Sequence, residues 1–301
     1  MSQEIYTLYA VKINSTLIDQ VREQRIDAGL RELIVSGDGA VDAKYAALMD
    51  IDPKMTFQTT DIAGFLGICG ISGLAVTEVI LYFQKTTESG IRAGAGAHKT
   101  VTVSAGLVLP RTISARQGGE AVLAFDVVLI SSDGLTSPLT IASGQDLASG
   151  ATVDAVFTLG PWKLNGSMQE GIQSLDVDFG LRERIYKHSG LPYPVRVHIE
   201  ERKPRVRLRT TDVPFFTAND LDGVAQGATA SLVWFRKLNR EGVRVANATA
   251  EHIKFTIYDG IWKAGTVGGS HPSEQMADVE IEPISDGTNP ILGVSAASAI
   301  S

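Results

Sequence analysis

Ile26-Asp27-Ala28-Gly29-Leu30-Arg31-Glu32 returns 151 residues later as Val177-Asp178-Phe179-Gly180-Leu181-Arg182-Glu183. The same offset carries residues 12–65 onto 163–216 without a gap, so that Pro53-Lys54-Met55-Thr56-Phe57-Gln58-Thr59-Thr60-Asp61 meets Pro204-Arg205-Val206-Arg207-Leu208-Arg209-Thr210-Thr211-Asp212. Tyr6-Thr7-Leu8 likewise matches Phe157-Thr158-Leu159. The offset grows to 152 between Phe83-Gln84-Lys85 and Phe235-Arg236-Lys237, and to 153 between Ser132-Asp133-Gly134 and Ser285-Asp286-Gly287. So small a drift over so long a segment marks one fold stated twice in tandem, not a solenoid of short repeats. The expected units are 1–150 and 151–301.

Composition is compatible with two such units. The chain has 301 residues, of which 44% are hydrophobic and 20% charged, enough for a core in each half. Its net charge is −7, with 11 basic against 16 acidic residues in 1–150 and 16 against 18 in 151–301. Gripping nucleic-acid phosphates needs clustered Lys and Arg, so an acidic chain is a poor nucleic-acid binder. A single cysteine, Cys69, excludes an internal disulfide framework. Met1-Ser2-Gln3-Glu4 lacks the basic and apolar regions of a signal peptide, and a reducing, soluble setting is expected. The apolar run 62–83 is broken by glycines and Glu78, and its second copy holds Asn219, Asp220 and Asp222, so no membrane helix is expected.

The local pattern is that of strands. Residues 54–59 alternate Met55 and Phe57 with polar partners, and 205–210 alternate Val206 and Leu208 with arginines, the period of a half-buried strand. Further strands are expected at 5–13, 76–84, 100–109, 120–130, 153–164, 231–236, 253–262 and 277–284. Turns are expected at Gly37-Asp38-Gly39, Gly118-Gly119 and both Ser-Asp-Gly sites. One short helix per half follows Thr60-Asp61 and Thr211-Asp212, where the carboxylate can accept from the first helical turn. Segment 41–49 has helical propensity, but its counterpart 192–200 carries Pro192 and Pro194 and then alternates, so both are read as extended.

No constellation for catalysis or cofactor binding emerges. His98, His188, His198, His252 and His271 show no metal-ligand spacing, and His98 and His252 are read as surface histidines near a strand start. Gly94-Ala95-Gly96 precedes a strand and lacks the third glycine of a phosphate loop. Cys69 lies in an apolar segment without an adjacent base, which fits a structural thiol. Asp27 and Glu32, like Asp178 and Glu183, flank an arginine and are read as local ion pairs. No metal, no cofactor and no enzymatic residue is expected.

The distinctive electrostatic feature is the row Arg205, Arg207 and Arg209, which alternation places on one strand face. Lys54, Thr56 and Gln58 occupy the same places in the first copy. The row fits contact with an acidic partner, another subunit or the acid-rich segment 276–286. With Lys54 and with Arg31, Glu32, Arg182 and Glu183 of the repeated stretch, it makes up the candidate subunit-interface set.

A small antiparallel β-sandwich or barrel with one short helix, repeated twice, acidic and free of catalytic motifs, resembles the tail tube (major tail) proteins of long-tailed bacteriophages. The stretches that carry the resemblance are Gly37-Asp38-Gly39-Ala40-Val41-Asp42, the strand and turn 53–61, and the segment from Ala97-His98-Lys99 to Pro110-Arg111. The resemblance implies six-fold rings stacked into a hollow tube, here closed by three two-domain chains. It also implies a tape-measure protein in the lumen, baseplate and terminator partners, passage of DNA without specific binding, and a place in the virion tail after assembly in the host cytoplasm. Arginines suit a DNA-passing lumen poorly, so the arginine row is expected at a subunit contact. The alternatives are a baseplate or distal tail ring and, from a different class, a ligand-binding β-barrel that would gather Trp162, Trp234 and Trp262 in one pocket. In a tube protein these tryptophans are expected to pack or to line interfaces.

Overall fold

A computed structural model describes residues 4–36, 42–150, 155–212, 231–268 and 275–301. They form several antiparallel sheets and, among the described residues, one short helix. Six strands come first: β1 (Ile5–Ile13), β2 (Thr16–Ile18), β3 (Val21–Asp27), β4 (Leu30–Ser36), β5 (Ala43–Ile51) and β6 (Lys54–Thr59). Helix α1 (Ile62–Cys69) leads to β7 (Leu74–Val76), β8 (Val79–Thr86), β9 (His98–Val103), β10 (Gly106–Arg116), β11 (Val122–Leu129) and β12 (Leu139–Gln145). Then come β13 (Val156–Leu164), β14 (Ser167–Gln169), β15 (Ile172–Asp178), β16 (Leu181–Tyr186), β17 (Arg196–Arg202) and β18 (Arg205–Thr210). The chain continues through β19 (Ser231–Leu238), β20 (His252–Ile257), β21 (Gly260–Gly268), β22 (Met276–Pro283) and β23 (Gly293–Ser298).

Strand order recurs with the sequence offset. One five-stranded sheet runs β12-β9-β8-β1-β2, and another runs β23-β20-β19-β13-β14 through the corresponding strands. The central sheet runs β21-β22-β18-β15-β10-β11-β6-β3, with β7 also paired to β10. Within it the order β10-β11-β6-β3 reappears as β21-β22-β18-β15. Two further hairpins, β4–β5 and β16–β17, stand as separate two-stranded sheets.

The repeated Asp-x-Gly-Leu-Arg-Glu stretch is the turn by which β3 and β15 leave the central sheet for these hairpins. Gly29 and Gly180 both have φ +57, and a Cβ there would lie 2.2 Å from the Asp52 carbonyl oxygen and 1.8 Å from that of Lys203. Only glycine fits such a left-handed, crowded position. Asp27 and Asp178 accept from these glycine N–H groups at 2.9 and 2.8 Å, which fixes the turn.

Alternation dictates the β6 and β18 faces, where Met55, Phe57, Val206 and Leu208 are buried. Asp61 caps α1 by accepting from Gly64 N–H at 3.0 Å. The second expected helix and the Gly37-Asp38-Gly39 turn lie outside the described residues. The preceding turn nevertheless recurs: Asp61 and Asp212 N–H donate to Thr59 and Thr210 Oγ1 at 3.0 and 3.1 Å.

Three expected strands are corrected. Segment 100–109 divides into β9 and β10 at Ser104-Ala105, 253–262 divides into β20 and β21, and 76–84 is broken between β7 and β8. The apolar run continues through each corner because the residues on both sides of it are buried. The extended readings of 41–49 and 192–200 are met by β5 from Ala43 and by β17 from Arg196, while 192–195 form a bend before the strand and residue 41 lies outside the described residues. Phe57 and Phe65 both pack on Phe125, and Phe235 and Phe179 on Phe255. All six rings belong to one contiguous buried cluster that draws on both halves of the chain.

Candidate functional site

The chain brings together two edges that are not alike. β10 from residues 1–150 pairs antiparallel with β15 from 151–301, with Thr112 opposite Asp178, Ile113 opposite Val177 and Ala115 opposite Leu175. Phe179 N–H donates to the Arg111 carbonyl at 2.9 Å where β15 leaves the sheet. Leu175, Val177 and Phe179 are buried there. The corresponding residues of the other half are Gln24, Ile26 and Ala28 on and after β3, and Ile26 is 39% exposed. Among the described residues, β3 and β21 each hydrogen-bond a neighbouring strand on one side only. These are the counterparts of β15 and β10.

A four-membered ionic cluster locks the joint. Arg111 Nε bonds the Asp126 carboxylate, Nη1 donates to the Leu181 carbonyl at 2.6 Å, and Nη2 donates to Glu183 Oε1 at 2.7 Å. Lys54 Nζ stands 2.9 Å from Asp126 and 3.7 Å from Glu183. Burial works against the charge of Glu183, but the Arg111 guanidinium and the Lys54 ammonium outweigh it and hold the carboxyl below its ordinary value. Burial likewise opposes the charge of Arg111, and hydrogen bonds to Glu183 and Asp126 raise its pKa instead.

Of the expected contact residues, Lys54 and Glu183 therefore meet, and they come from opposite halves. Glu183 does not form the local pair with Arg182 that the sequence suggested, because adjacent strand residues point to opposite faces. Arg182 instead lies 4.0 Å from Glu200, and Arg31 lies 4.0 Å from Asp50. Glu32 is exposed on β4. Arg205, Arg207 and Arg209 lie on the solvent face of the central sheet, opposite Glu282, Glu280 and Asp278 of β22. The distances are 3.6, 2.7 and 2.7 Å. The acid-rich segment 276–286 is thus partly a strand beside the arginines. Arg111 and Asp126 were not singled out in the sequence. The signal for Asp126 was there, a lone carboxylate inside the apolar strand Val122–Leu129, since such a charge is buried only with a partner.

The other singled-out groups are structural. His98 and His252 are buried, not surface residues, and their Nδ1 atoms accept from Lys85 and Lys237 N–H at 3.1 Å each. Cys69 is buried, its Sγ lies 3.9 Å from the Val108 carbonyl, and burial pushes its pKa up to about 12. Trp162, Trp234 and Trp262 are buried, and the first two indoles donate to Ser231 Oγ at 2.6 Å and to the Ala299 carbonyl at 3.1 Å. Among the described residues no cluster of three metal-ligating side chains occurs, and no helix is long and apolar enough to cross a membrane.

No protein-family model matches the chain, and no curated protein matches its sequence.

Proposed function

We propose that this chain is a self-assembling structural protein of the tail-tube type. On this reading, two tandem β-sandwich domains, 1–150 and 151–301, each with a short helix, occupy two of six equivalent places in a ring closed by three chains. The β10–β15 joint carries the reading. It is a head-to-tail contact between unlike edges, and the same two kinds of edge recur at the ends of the central sheet as β21 and β3. A heterologous contact repeated by a constant rotation closes a ring or continues as a filament. Exposed strand edges are ready templates for such pairing. Fusing two units in one chain makes every second joint intramolecular and raises its effective concentration.

The rest follows from the family resemblance. Rings stack into a tube in the virion tail, the lumen holds a tape-measure protein and later passes DNA, and baseplate and terminator proteins close the ends. No catalytic role is proposed. Negative-stain microscopy and native mass measurement of concentrated protein test the proposal. Trimeric rings stacked into filaments of uniform diameter are expected. Discrete rings that never stack point to the baseplate alternative, and a monomer at every concentration overturns the assembly reading.

A further inference from the structure

We propose that the β4–β5 hairpin is an inter-subunit clasp, which docks on the second half of another copy of this chain, over its Ser285–Asn289 turn, with Glu32 between Arg205 and Lys263. The inference rests on the assembly reading and names the contact that accompanies the β3–β21 joint.

The hairpin β16–β17 supplies the template, because it already lies on residues 1–150. Leu181 at its root is 5% exposed, and Ile199 packs on Gly73. Leu191 and Val195, in the connection between β16 and β17, cover Gly134 so closely that a Cβ there would meet Leu191 Cδ1 at 2.7 Å. Ser131 N–H donates to the Pro194 carbonyl at 2.8 Å, and Tyr193 N–H donates to the Gly134 carbonyl at 3.1 Å.

The receiving surface recurs in the second half. Ser132-Asp133-Gly134 is matched there by Ser285-Asp286-Gly287. Asp133 accepts from the next two N–H groups but one, Leu135 and Thr136, as Asp286 does from Thr288 and Asn289. Gly134 and Gly287 share a positive φ, +74 and +77, yet only open space lies where a Cβ of Gly287 would stand. Ile284 beside that turn is 42% exposed.

The docking face recurs as well, and it is uncovered. Leu30, the counterpart of the buried Leu181, is 57% exposed, and Leu48, the counterpart of the partly buried Ile199, is 49% exposed. Adjacent apolar side chains standing in water on a two-stranded hairpin mark a contact surface.

Charge complementarity chooses the partner. In residues 1–150 the cations Lys54 and Arg111 share Asp126, and Glu183 arrives from the other half as the second carboxylate. In the second half Arg205 and Lys263 share Glu282, at 3.6 and 3.0 Å. Lys263 stands where Leu109 stands in the first half, beside Gly73 under the hairpin. Glu32, at the position of Glu183, is the carboxylate that completes the pattern.

The test is a charge swap in the full chain, read by sedimentation velocity across a concentration series. Glu32 is exposed, so Glu32→Arg is expected to keep the wild-type circular dichroism while raising the half-assembly concentration about tenfold or more. Glu32→Arg combined with Lys263→Glu is expected to bring it back to within about threefold of wild type. Assembly indifferent to Glu32→Arg, or a double variant no better than the single one, overturns the clasp. A wild type that stays monomeric overturns the assembly reading itself. If assembly is lost in an Ile26→Asp variant of the β3 edge while Glu32→Arg assembles normally, only the clasp has failed.

Discussion

Two hairpins grow from the same Asp-x-Gly-Leu-Arg-Glu turn, and their surroundings differ. β16–β17 has Leu181 buried at its root and Glu183 held by Arg111 and Lys54, both from the other half. β4–β5 has Leu30 and Glu32 exposed at the same places. The strands that feed them differ in the same way, since Val177 is fully buried and Ile26 is not. The residue types are close, so the contrast comes from what lies alongside. It teaches that one copy of the edge and hairpin is covered inside the chain, while the other stands exposed in the single chain.

The comparison is broken most forcefully at the two strands. Val177→Asp puts a carboxylate into the sealed joint opposite Ile113 and is expected to cost at least about 4 kcal/mol, or to prevent folding. Ile26→Asp, on the exposed counterpart, is expected to change the stability of the single chain by no more than about 1 kcal/mol, yet to abolish assembly. Urea denaturation and size-exclusion chromatography of both variants check this. Equal loss of stability in the two would show that the edges are not alternative states of one contact.

The ionic cluster gives the next largest effect. Arg111→Met leaves Asp126 and Glu183 mostly buried with only Lys54 for company, and about 3 kcal/mol of stability should be lost. Acid acts on the same group. The carboxyl of Glu183 titrates below its ordinary range in the folded chain, so its contribution is complete above the unfolded value. It is then lost as pH falls through the folded one. Glu183→Gln should therefore lower stability at neutral pH and flatten the dependence on pH below the ordinary glutamate range. Denaturation midpoints of both proteins from neutral pH down to the onset of acid unfolding measure the difference, and parallel curves would remove Glu183 from the joint.

How much of this was legible in the sequence depended on how local the cause was. β6 and β18 were readable to the residue, because period-two alternation and the following Thr-Thr-Asp turn are properties of a few neighbouring residues. β3 was not legible, since Val21-Arg22-Glu23-Gln24-Arg25-Ile26-Asp27 carries too few apolar residues to declare an edge strand. The corners at Ser104-Ala105 and Tyr258-Asp259 were hidden by apolar residues on both sides. At the site, Lys54 and Glu183 were marked by recurrence and charge, but their meeting with Arg111 depends on a strand joint between residues 72 apart in sequence. The histidines were misplaced for a related reason: pairing of each Nδ1 with a backbone N–H thirteen or fifteen positions away is what makes their burial possible.

The smallest effect is expected where the sequence drew most attention. Arg209 and Arg111 are both paired arginines, but they stand in different media. Arg111 lies at the joint, largely removed from water, and its loss strands two carboxylates. Arg209 faces solvent with Asp278 beside it, so water and salt can solvate either partner once the other is gone. Hydrogen bonding and the Asp278 charge raise the pKa of Arg209, yet that preference is largely screened in an exposed pair. Arg209→Ala should therefore leave the thermal midpoint unchanged within error at physiological salt, and scanning calorimetry beside Arg111→Met makes the contrast measurable. A substantial fall in the midpoint for Arg209→Ala would mean that the arginine row works as a cooperative ladder with Asp278, Glu280 and Glu282. The stability of the central sheet would then depend on its solvent face as well as on its buried one.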